Sequence, residues 1–175
     1  MLEVVITFLI LIFALFVALI PFTLALSFIF GPPYLPTPKN VVKEMLELAE
    51  VDEKDILADL GSGDGVVLIE GALRGAIVRG YEINLFLVLL TKLKTRMKGL
   101  GSKITVQAMP YQKANLENTT VVFCYNMPRF MPAIEKKLRK EASKNVKVLS
   151  YRFPLPKLKL IERTSSGIFL HTLKD

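Results

Sequence analysis

The chain has few of the residues on which metal centres and disulfide scaffolds depend. Its 175 residues include one cysteine, one histidine and no tryptophan. A single cysteine, Cys124, cannot form an internal disulfide, and a single histidine, His171, excludes a histidine-rich metal site. The sequence therefore predicts no metal centre. Acidic residues are also scarce, 16 against 23 basic ones, and the resulting charge of +7 favours an anionic partner such as a lipid surface or a nucleic acid.

Charge is absent from one long segment, residues 4–30, where only two threonines, a serine and a proline interrupt the apolar character. A helix of this length spans about 40 Å, against about 30 Å for the hydrocarbon core of a bilayer. We therefore expect residues 1–30 to form one transmembrane anchor, with residues 4–30 in the bilayer. The alternative is a cleaved secretory signal, since Ala25-Leu26-Ser27 resembles a cleavage site, but the segment before the run holds Glu3 and no lysine or arginine.

The residues that flank the apolar run predict its orientation. Lys39, Lys43 and a net-basic domain follow it, whereas only Glu3 and the amino terminus precede it. The positive-inside rule then places the N-terminus outside and the rest of the chain on the cytoplasmic side of a single-pass membrane protein. Residues 31–38 contain four prolines, which predicts a stiff connector that holds the domain close to the bilayer.

After the connector, patterns typical of helices and strands alternate. The periodicity predicts helices over residues 39–50, 66–73, 84–98 and 130–142, and strands over 56–60, 77–82, 104–108, 120–125, 146–152, 157–163 and 168–173. We expect one α/β domain over residues 39–175, with a seven-stranded, mostly parallel sheet that ends in a C-terminal antiparallel hairpin. Ligands of such sheets bind beyond the carboxyl ends of the strands.

A glycine-rich turn follows the first predicted strand and opens a helix. Its sequence is Asp59-Leu60-Gly61-Ser62-Gly63-Asp64-Gly65, and glycine allows a sharp bend with room for a ligand against the backbone. The spacing differs from the G-x-G-x-x-G pattern of dinucleotide sites, and no Gly-Lys-Ser/Thr follows as in a phosphate-binding loop. Asp59 ahead of the glycines suits a ligand with an ammonium and hydroxyl groups better than a pyrophosphate.

A carboxylate ends the second predicted strand. Glu82 can accept hydrogen bonds from both hydroxyls of a ribose, and charge-assisted bonds of this type contribute about 1.5–3 kcal/mol each. The glycine turn and Glu82 together are far more specific than either feature alone. A tight turn beside a solvated glutamate is the alternative interpretation.

The pattern D-x-G-x-G-x-G followed by an acidic strand end resembles the seven-strand, class I S-adenosylmethionine-dependent methyltransferases, whose sheet is Rossmann-like. Within that class, three segments are similar to a family of membrane-anchored protein lysine methyltransferases, which includes the enzymes for the adenine nucleotide translocase and the ATP synthase c-subunit. The segments are Pro33-Tyr34-Leu35-Pro36-Thr37-Pro38, Val121-Val122-Phe123-Cys124-Tyr125-Asn126-Met127-Pro128 and Ser150-Tyr151-Arg152-Phe153-Pro154-Leu155.

The resemblance implies S-adenosylmethionine as the cofactor and assigns residues to it. Gly61, Gly63 and Gly65 would line its methionine part, Asp59 would orient its amino group, and Glu82 would hold its ribose. Many relatives place an acidic residue after the third strand to bind the adenine amine. This chain has Gln107-Ala108-Met109 there, so Gln107 is the candidate hydrogen-bonding partner and Met109 the residue that packs on the ring.

The segment after the fourth strand is the candidate substrate slot. We expect carbonyl or amide oxygens of Asn126 to orient an acceptor amine, with Tyr125 and Tyr151 as an aromatic wall. Ordinary strand packing is the alternative for both tyrosines. Between Arg129 and Lys159 the chain has ten basic residues and two acidic ones, which suits a solvated helix face or attraction to anionic headgroups. Nucleic acid is a less favoured partner, because aromatic residues are sparse there.

These features favour a membrane-anchored methyltransferase that modifies a lysine of a membrane protein. Two alternatives stay open at this stage. In the first, the enzyme methylates a lipid, quinone or other small amphiphile instead of a protein. In the second, the chain is a non-catalytic assembly factor that binds the cofactor.

Overall fold

The structure is a computed structural model that describes residues 1–30 and 34–174, without the side chains of residue 20 and residues 22–30. The first helix, α1, runs from Leu2 to Phe30 and contains Pro21. The segment Leu2–Leu19 has a mean hydropathy of 2.9, and none of it is buried against the rest of the chain. Among the described helices, only α1 is long and apolar enough to cross a membrane.

The connector lies between α1 and the domain. Residues 34–38 have no regular secondary structure, and residues 31–33 of the predicted connector lie outside the described part of the chain. Pro38, with φ −57°, directly precedes helix α2. A proline at this point costs no helical hydrogen bond, since the first amides of a helix have no partner within it.

The predicted alternation of helices and strands is confirmed. Three further helices follow α2 (Lys39–Leu48), and short 3₁₀ turns lie at Tyr111–Lys113 and Pro128–Phe130. The remaining elements are β1 (Ile56–Leu60), α3 (Val66–Leu73), β2 (Ile77–Glu82), α4 (Leu85–Met97), β3 (Ile104–Ala108), β4 (Val121–Cys124), α5 (Met131–Glu141), β5 (Lys147–Tyr151), β6 (Lys159–Arg163) and β7 (Ile168–Thr172).

The seven strands form one mixed sheet in the order β3-β2-β1-β4-β5-β7-β6. Strands β1 to β5 pair in parallel, and β7 is antiparallel to both of its neighbours, β5 and β6. Because β1 lies between β2 and β4, the chain reverses its direction across the sheet at β1. In open α/β sheets this is the point where the loops diverge and leave a crevice for a ligand.

Both faces of the sheet are covered by helices. One apolar cluster joins α2, α3 and α4 to one face through residues such as Leu46, Leu57 and Val88. The other joins α5 to the opposite face through Val122, Ile134 and other residues. Strands buried on both sides are expected for a parallel sheet, and they hold the ends of β1, β2, β4 and β5 in fixed positions.

The connection from β5 to β6 is short, as the sequence predicts. Residues 152–158 join the two strands without a helix, and Leu155 and Leu158 are buried beneath them. Cys124, at the end of β4, is also buried. Burial first, and then the nearby Asp59 carboxyl, raise the pKa of the Cys124 thiol to about 12, so that thiol is protonated at neutral pH.

Candidate active site

The glycine turn, residues 61–65, is hydrogen-bonded to the end of the neighbouring strand β2. The amides of Gly61 and Ser62 both donate to the carbonyl oxygen of Tyr81, at 3.0 and 3.1 Å. Gly61 has φ +110° and Gly63 φ +52°, a backbone conformation that residues with a Cβ rarely adopt. The turn therefore depends on glycine at these two positions.

The Glu82 carboxylate holds this turn and the start of α4 together. Its Oε2 accepts a hydrogen bond of 2.9 Å from the Gly63 amide, and its Oε1 one of 2.8 Å from the Asn84 amide. Glu82 is only 9% exposed. Because a carboxylate oxygen accepts more than one hydrogen bond, both oxygens retain capacity for a ligand's hydroxyl groups.

A cavity of about 360 Å³ opens at the carboxyl ends of β1, β2, β4 and β5. Its volume is within the range of small-molecule sites. Most of the residues predicted from the sequence meet here: Asp59, Gly61, Gly63, Glu82, Tyr125, Asn126 and Tyr151 all line it. Met109, predicted to pack on an adenine ring, lines it as well.

Three carboxyl groups, those of Asp59, Asp64 and Glu82, line the cavity, although the chain is positive overall. Asp59 is 5% exposed, and burial, followed by the charges of Glu82 and Asp64, raises its pKa to about 8. Asp64 forms an ion pair of 2.7 Å with Lys94 of α4. A bound cation would offset the repulsion between these carboxylates and favour the charged form of Asp59.

Three buried polar groups at the cavity have no hydrogen-bond partner among the described residues. They are Ser62 Oγ, Asn84 Nδ2 and the Tyr111 hydroxyl. The Asn84 Oδ1 accepts from the amides of Phe86 and Leu87, so Asn84 caps α4 as predicted while its amide nitrogen stays unpaired. Buried polar atoms are normally paired, so this arrangement indicates a polar ligand.

Asn126 is buried beside the glycine turn. Its Nδ2 donates to the carbonyl oxygen of Leu60 at 2.9 Å, which fixes the plane of the amide. Its Oδ1 accepts no hydrogen bond from the residues that the structure describes. Tyr125 and Tyr151 lie next to it in an edge-to-face pair with ring centroids 4.9 Å apart. An amide acceptor and two aromatic rings thus line one part of the cavity.

The connector contributes residues that sequence reasoning missed. Tyr34, Leu35, Pro36 and Thr37 all line the cavity. A Cβ on Gly63 would lie 2.7 Å from Cε2 of Tyr34, so the tyrosine ring packs directly on the glycine turn. Burial, and then the Asp64 carboxylate, raise the pKa of Tyr34 to about 12. The connector is one of the three segments that resemble the lysine methyltransferase family. Nothing in its sequence, however, indicates that Tyr34 would pack over the glycine turn.

Two predicted cofactor residues do not reach the cavity. Gln107 is exposed on β3 and does not line it; Tyr111 and Gln112, in the following turn, do. Gly65 is also absent from the lining. A Cβ on Gly65 would overlap the side chain of the buried Thr91 in α4. Gly65 therefore allows α4 to pack against the turn.

The residues present fit S-adenosylmethionine. Asp59 and Glu82 suit a ligand with an ammonium, a sulfonium and ribose hydroxyls, and the unpaired Ser62, Asn84 and Tyr111 groups suit its remaining polar atoms. The backbone of Gly61 is exposed, and a Cβ there would meet only the Asn126 amide at 3.8 Å, which leaves room for the ligand to lie against the turn.

Comparison with known proteins places this site in a family. A family model described as the ANTKMT methyltransferase domain matches residues 59–162. The chain is 31% identical to the ATP synthase c-subunit lysine N-methyltransferase of Xenopus laevis over 71% of its length, and it spans 54% of that relative. It is 29% identical to a protein-lysine N-methyltransferase of Saccharolobus islandicus (strain REY15A) over 74% of its length, which is 82% of that relative.

A solved structure is similar over most of the domain. It is described as an RNA methyltransferase from Salinibacter ruber in complex with S-adenosyl-L-homocysteine, with 32% identity and a TM-score of 0.78. The match covers 81% of this chain and 95% of the Salinibacter chain. S-adenosylhomocysteine is the demethylated form of S-adenosylmethionine, so this neighbour and the cavity agree on the cofactor. The chain belongs to the ANTKMT methyltransferase family and has the fold of an S-adenosylmethionine-dependent methyltransferase.

Proposed function

We propose that this chain transfers a methyl group from S-adenosylmethionine to a lysine side chain of a membrane protein. Family membership and the lysine methyltransferases among its relatives support the reaction. The relative from Xenopus is named for the c-subunit of ATP synthase, which supports a membrane protein as the acceptor.

The observation that carries the proposal is Asn126 in the cavity wall. Its Nδ2 is held by the last carbonyl of β1, so its Oδ1 is fixed as an acceptor. A neutral amine donates hydrogen bonds through its N–H groups. An amide oxygen in a fixed position, by accepting one of them, would point the amine's lone pair toward the methyl group of the cofactor. Alignment of this type is the main contribution a protein can make to a direct displacement.

The cofactor would lie between the glycine turn and Glu82. Once bound, S-adenosylmethionine supplies a methyl group already activated on a sulfonium. Asp59 would hold the ammonium, Glu82 the ribose, and Met109 with Tyr111 would contact the adenine. All four residues line the same cavity.

The acceptor lysine must be neutral before it reacts, although a free lysine has a pKa of about 10.4. The Tyr125 and Tyr151 rings form a largely apolar wall, and desolvation favours the neutral amine. These rings would also enclose the apolar stem of the lysine side chain. We therefore assign the two tyrosines to acceptor binding and Asn126 to orientation of the amine.

The apolar helix α1 supports a membrane location. Its length and hydropathy suit a single span, and Lys39 and Lys43 after it favour a domain on the cytoplasmic side. An enzyme with this anchor would meet its acceptors at the bilayer surface.

Methylation of RNA is the second candidate function. The name of the Salinibacter neighbour and the net charge of +7 favour it. The lysine methyltransferases among the sequence relatives favour a protein acceptor instead.

One labelling experiment separates these acceptors. Native membranes and total RNA from the source organism are incubated with methyl-tritiated cofactor and the full chain, wild type beside Asn126→Ala. We expect wild type to label membrane protein, with methyl-lysine found by mass spectrometry. Asn126→Ala should lose about 10²-fold in rate, while calorimetry shows nearly unchanged cofactor affinity.

The other outcomes each contradict the proposal in a distinct way. Label in RNA establishes the second candidate, and label in the organic extract establishes a lipid or quinone acceptor. Cofactor binding without label in any fraction identifies a non-catalytic binding protein. Equal rates for wild type and Asn126→Ala would remove the role given to Asn126.

A further inference from the structure

Helix α4 exposes a continuous apolar row on the face that points away from the sheet. Leu85, Leu89, Leu93 and Met97 follow one another at intervals of four residues, so they line up along the helix. Their exposed fractions are 55%, 58%, 58% and 79%, and Phe86 beside them is also exposed. A helix on the surface of a soluble domain normally has a polar outer face.

The opposite face of α4 is already used for packing. Leu87, Val88, Thr91 and Thr95 are buried against the sheet and the glycine turn. Although α1 lies beside α4, the apolar row is exposed with α1 in place. Within the described part of the chain, nothing covers this row.

Basic residues border the row. Lys92, Arg96 and Lys98 are exposed, and the chain has no acidic residue between Glu82 and Glu117. By contrast, two of the cations on α5 pair with acidic residues of the same helix, Lys137 with Glu141 and Arg139 with Glu135. An apolar face bordered by unbalanced positive charge is typical of helices that lie in the headgroup region of anionic membranes.

Helix α4 lies between the proposed membrane helix α1 and the cavity. The helix contacts α1, and its N-terminal cap is Asn84, which lines the cavity together with the exposed Ile83. We propose that the outer face of α4 docks in the interface of an anionic bilayer and places the mouth of the cavity at the lipid surface. This rests on the membrane location proposed for α1, and it holds whichever acceptor is methylated.

A second copy of the chain fits the row less well. In a two-fold symmetric dimer the same patch faces itself. Lys92 and Arg96 of one copy would then meet basic residues of the other, with no acidic residue on α4 to balance them. Anionic headgroups supply the missing negative charge.

The test uses the full chain in lipid nanodiscs of phosphatidylcholine and phosphatidylglycerol. An environment-sensitive fluorophore is attached to Leu93→Cys on the row and, as the matched control, to Lys140→Cys on the exposed side of α5. The native Cys124 is buried with a raised thiol pKa, and unsubstituted chain measures any labelling there. Spin-labelled lipids, which quench only a fluorophore in contact with the bilayer, report docking.

We expect blue-shifted emission and about twofold or greater quenching at position 93, and little of either at position 140. Adding Leu89→Glu to Leu93→Cys should reduce the quenching. Equal quenching at both positions overturns the proposal. A blue shift without lipid quenching, together with disulfide cross-linking between copies of the unlabelled Leu93→Cys chain when an oxidant is added, replaces it with a dimer.

Calorimetry and methyl transfer on the same nanodiscs separate the two proposals. Normal methylation of lysine without quenching at position 93 contradicts only the docking of α4. Quenching at position 93 without transfer to lysine contradicts only the proposed reaction.

Discussion

Asp59 illustrates how burial sets the charge of a single residue in this site. Its carboxyl has a pKa of about 8 because burial, and then Glu82 and Asp64, disfavour the anion. Before a ligand binds, the group is mostly protonated at neutral pH. A ligand with a positive charge next to Asp59 would reverse this preference.

The first prediction concerns the pH dependence that follows. Between the ordinary pKa of 3.8 and the folded value of about 8, Asp59 binds more protons in the folded protein than in the unfolded chain, so its contribution to the free energy of unfolding should fall as pH rises across this range. Cofactor affinity should rise over the same range, because binding releases the Asp59 proton. Melting temperatures, and calorimetry in two buffers of different ionisation enthalpy, measure both effects.

The matched variant for this prediction is Asp59→Asn, which keeps the shape of the side chain and removes the titration. The part of both pH dependences that Asp59 contributes should disappear in it, and cofactor binding should weaken. If Asp59→Asn leaves both pH dependences unchanged, another group is responsible.

The second prediction concerns Tyr111, whose buried hydroxyl has no partner among the described residues. Tyr111→Phe should slightly stabilise the cofactor-free protein, because it removes an unsatisfied buried polar group. It should weaken cofactor binding by up to about tenfold, the equivalent of one hydrogen bond. Gln107→Ala, outside the cavity, is the control and should change neither. An unchanged affinity in Tyr111→Phe would show that the hydroxyl does not contact the cofactor.

At the scale of elements, α4 packs against the glycine turn most closely where Thr91 meets Gly65. A Cβ on Gly65 would overlap Thr91, which is completely buried and also donates from its Oγ1 to the carbonyl oxygen of Gly63 at 3.2 Å. Gly65 also has φ +82°. Both the backbone conformation and the neighbouring helix therefore require glycine.

The third prediction compares Gly65→Ala with Gly99→Ala. Both glycines have positive φ, but a Cβ on Gly99 meets no atom within 4 Å. Gly99→Ala should cost about 1 kcal/mol from backbone strain alone, whereas Gly65→Ala should cost about 2–4 kcal/mol because overpacking is added. Denaturant unfolding measures both. In a double-mutant cycle, Thr91→Ala should recover part of the loss at Gly65; strict additivity would refute the contact.

The elements themselves were predictable because their signals are local. Every predicted helix and strand lies within two residues of the observed one, including the cap at Asn84 and the helix end before Gly99. Site residues that line up with strand ends, such as Asp59 and Glu82, followed from that prediction. The roles of Gly65 and Tyr34 did not follow, because each depends on a neighbour about 26 to 29 residues away, Thr91 and Gly63 respectively.

The prediction that Gln107 lies at the cofactor cavity missed for a different reason. It lies on β3, the edge strand of the sheet, where Ile104 and Val106 are buried while Thr105 and Gln107 are exposed. Side chains alternate along a strand, so the position next to the strand end faced away from the cavity. The chain then turns inward, which brings Met109 and Tyr111 to the cavity instead.

For the whole molecule, the central question is whether α1 holds it in a membrane. The fourth prediction is that the chain resists alkaline extraction from membranes and that Leu9→Arg with Phe13→Arg releases it. Each arginine at mid-helix costs about 2.5–3.5 kcal/mol for insertion. Leu9→Ile with Phe13→Leu, which keeps the hydropathy, should remain in the membrane. Cofactor affinity should be equal in all three proteins, since the described part of α1 up to Leu19 does not line the cavity.

The contact between Tyr34 and Gly63 has a consequence for which acceptor lysines the enzyme can reach. Only residues 31–33 separate Phe30, the last residue of α1, from Tyr34, and four extended residues span at most about 14 Å. With α1 in a bilayer, Tyr34, and with it the glycine turn that it contacts, is kept close to the point where the helix ends. Acceptors would then be selected by the depth at which a lysine emerges from the lipid, and a short tether would replace recognition of flanking sequence.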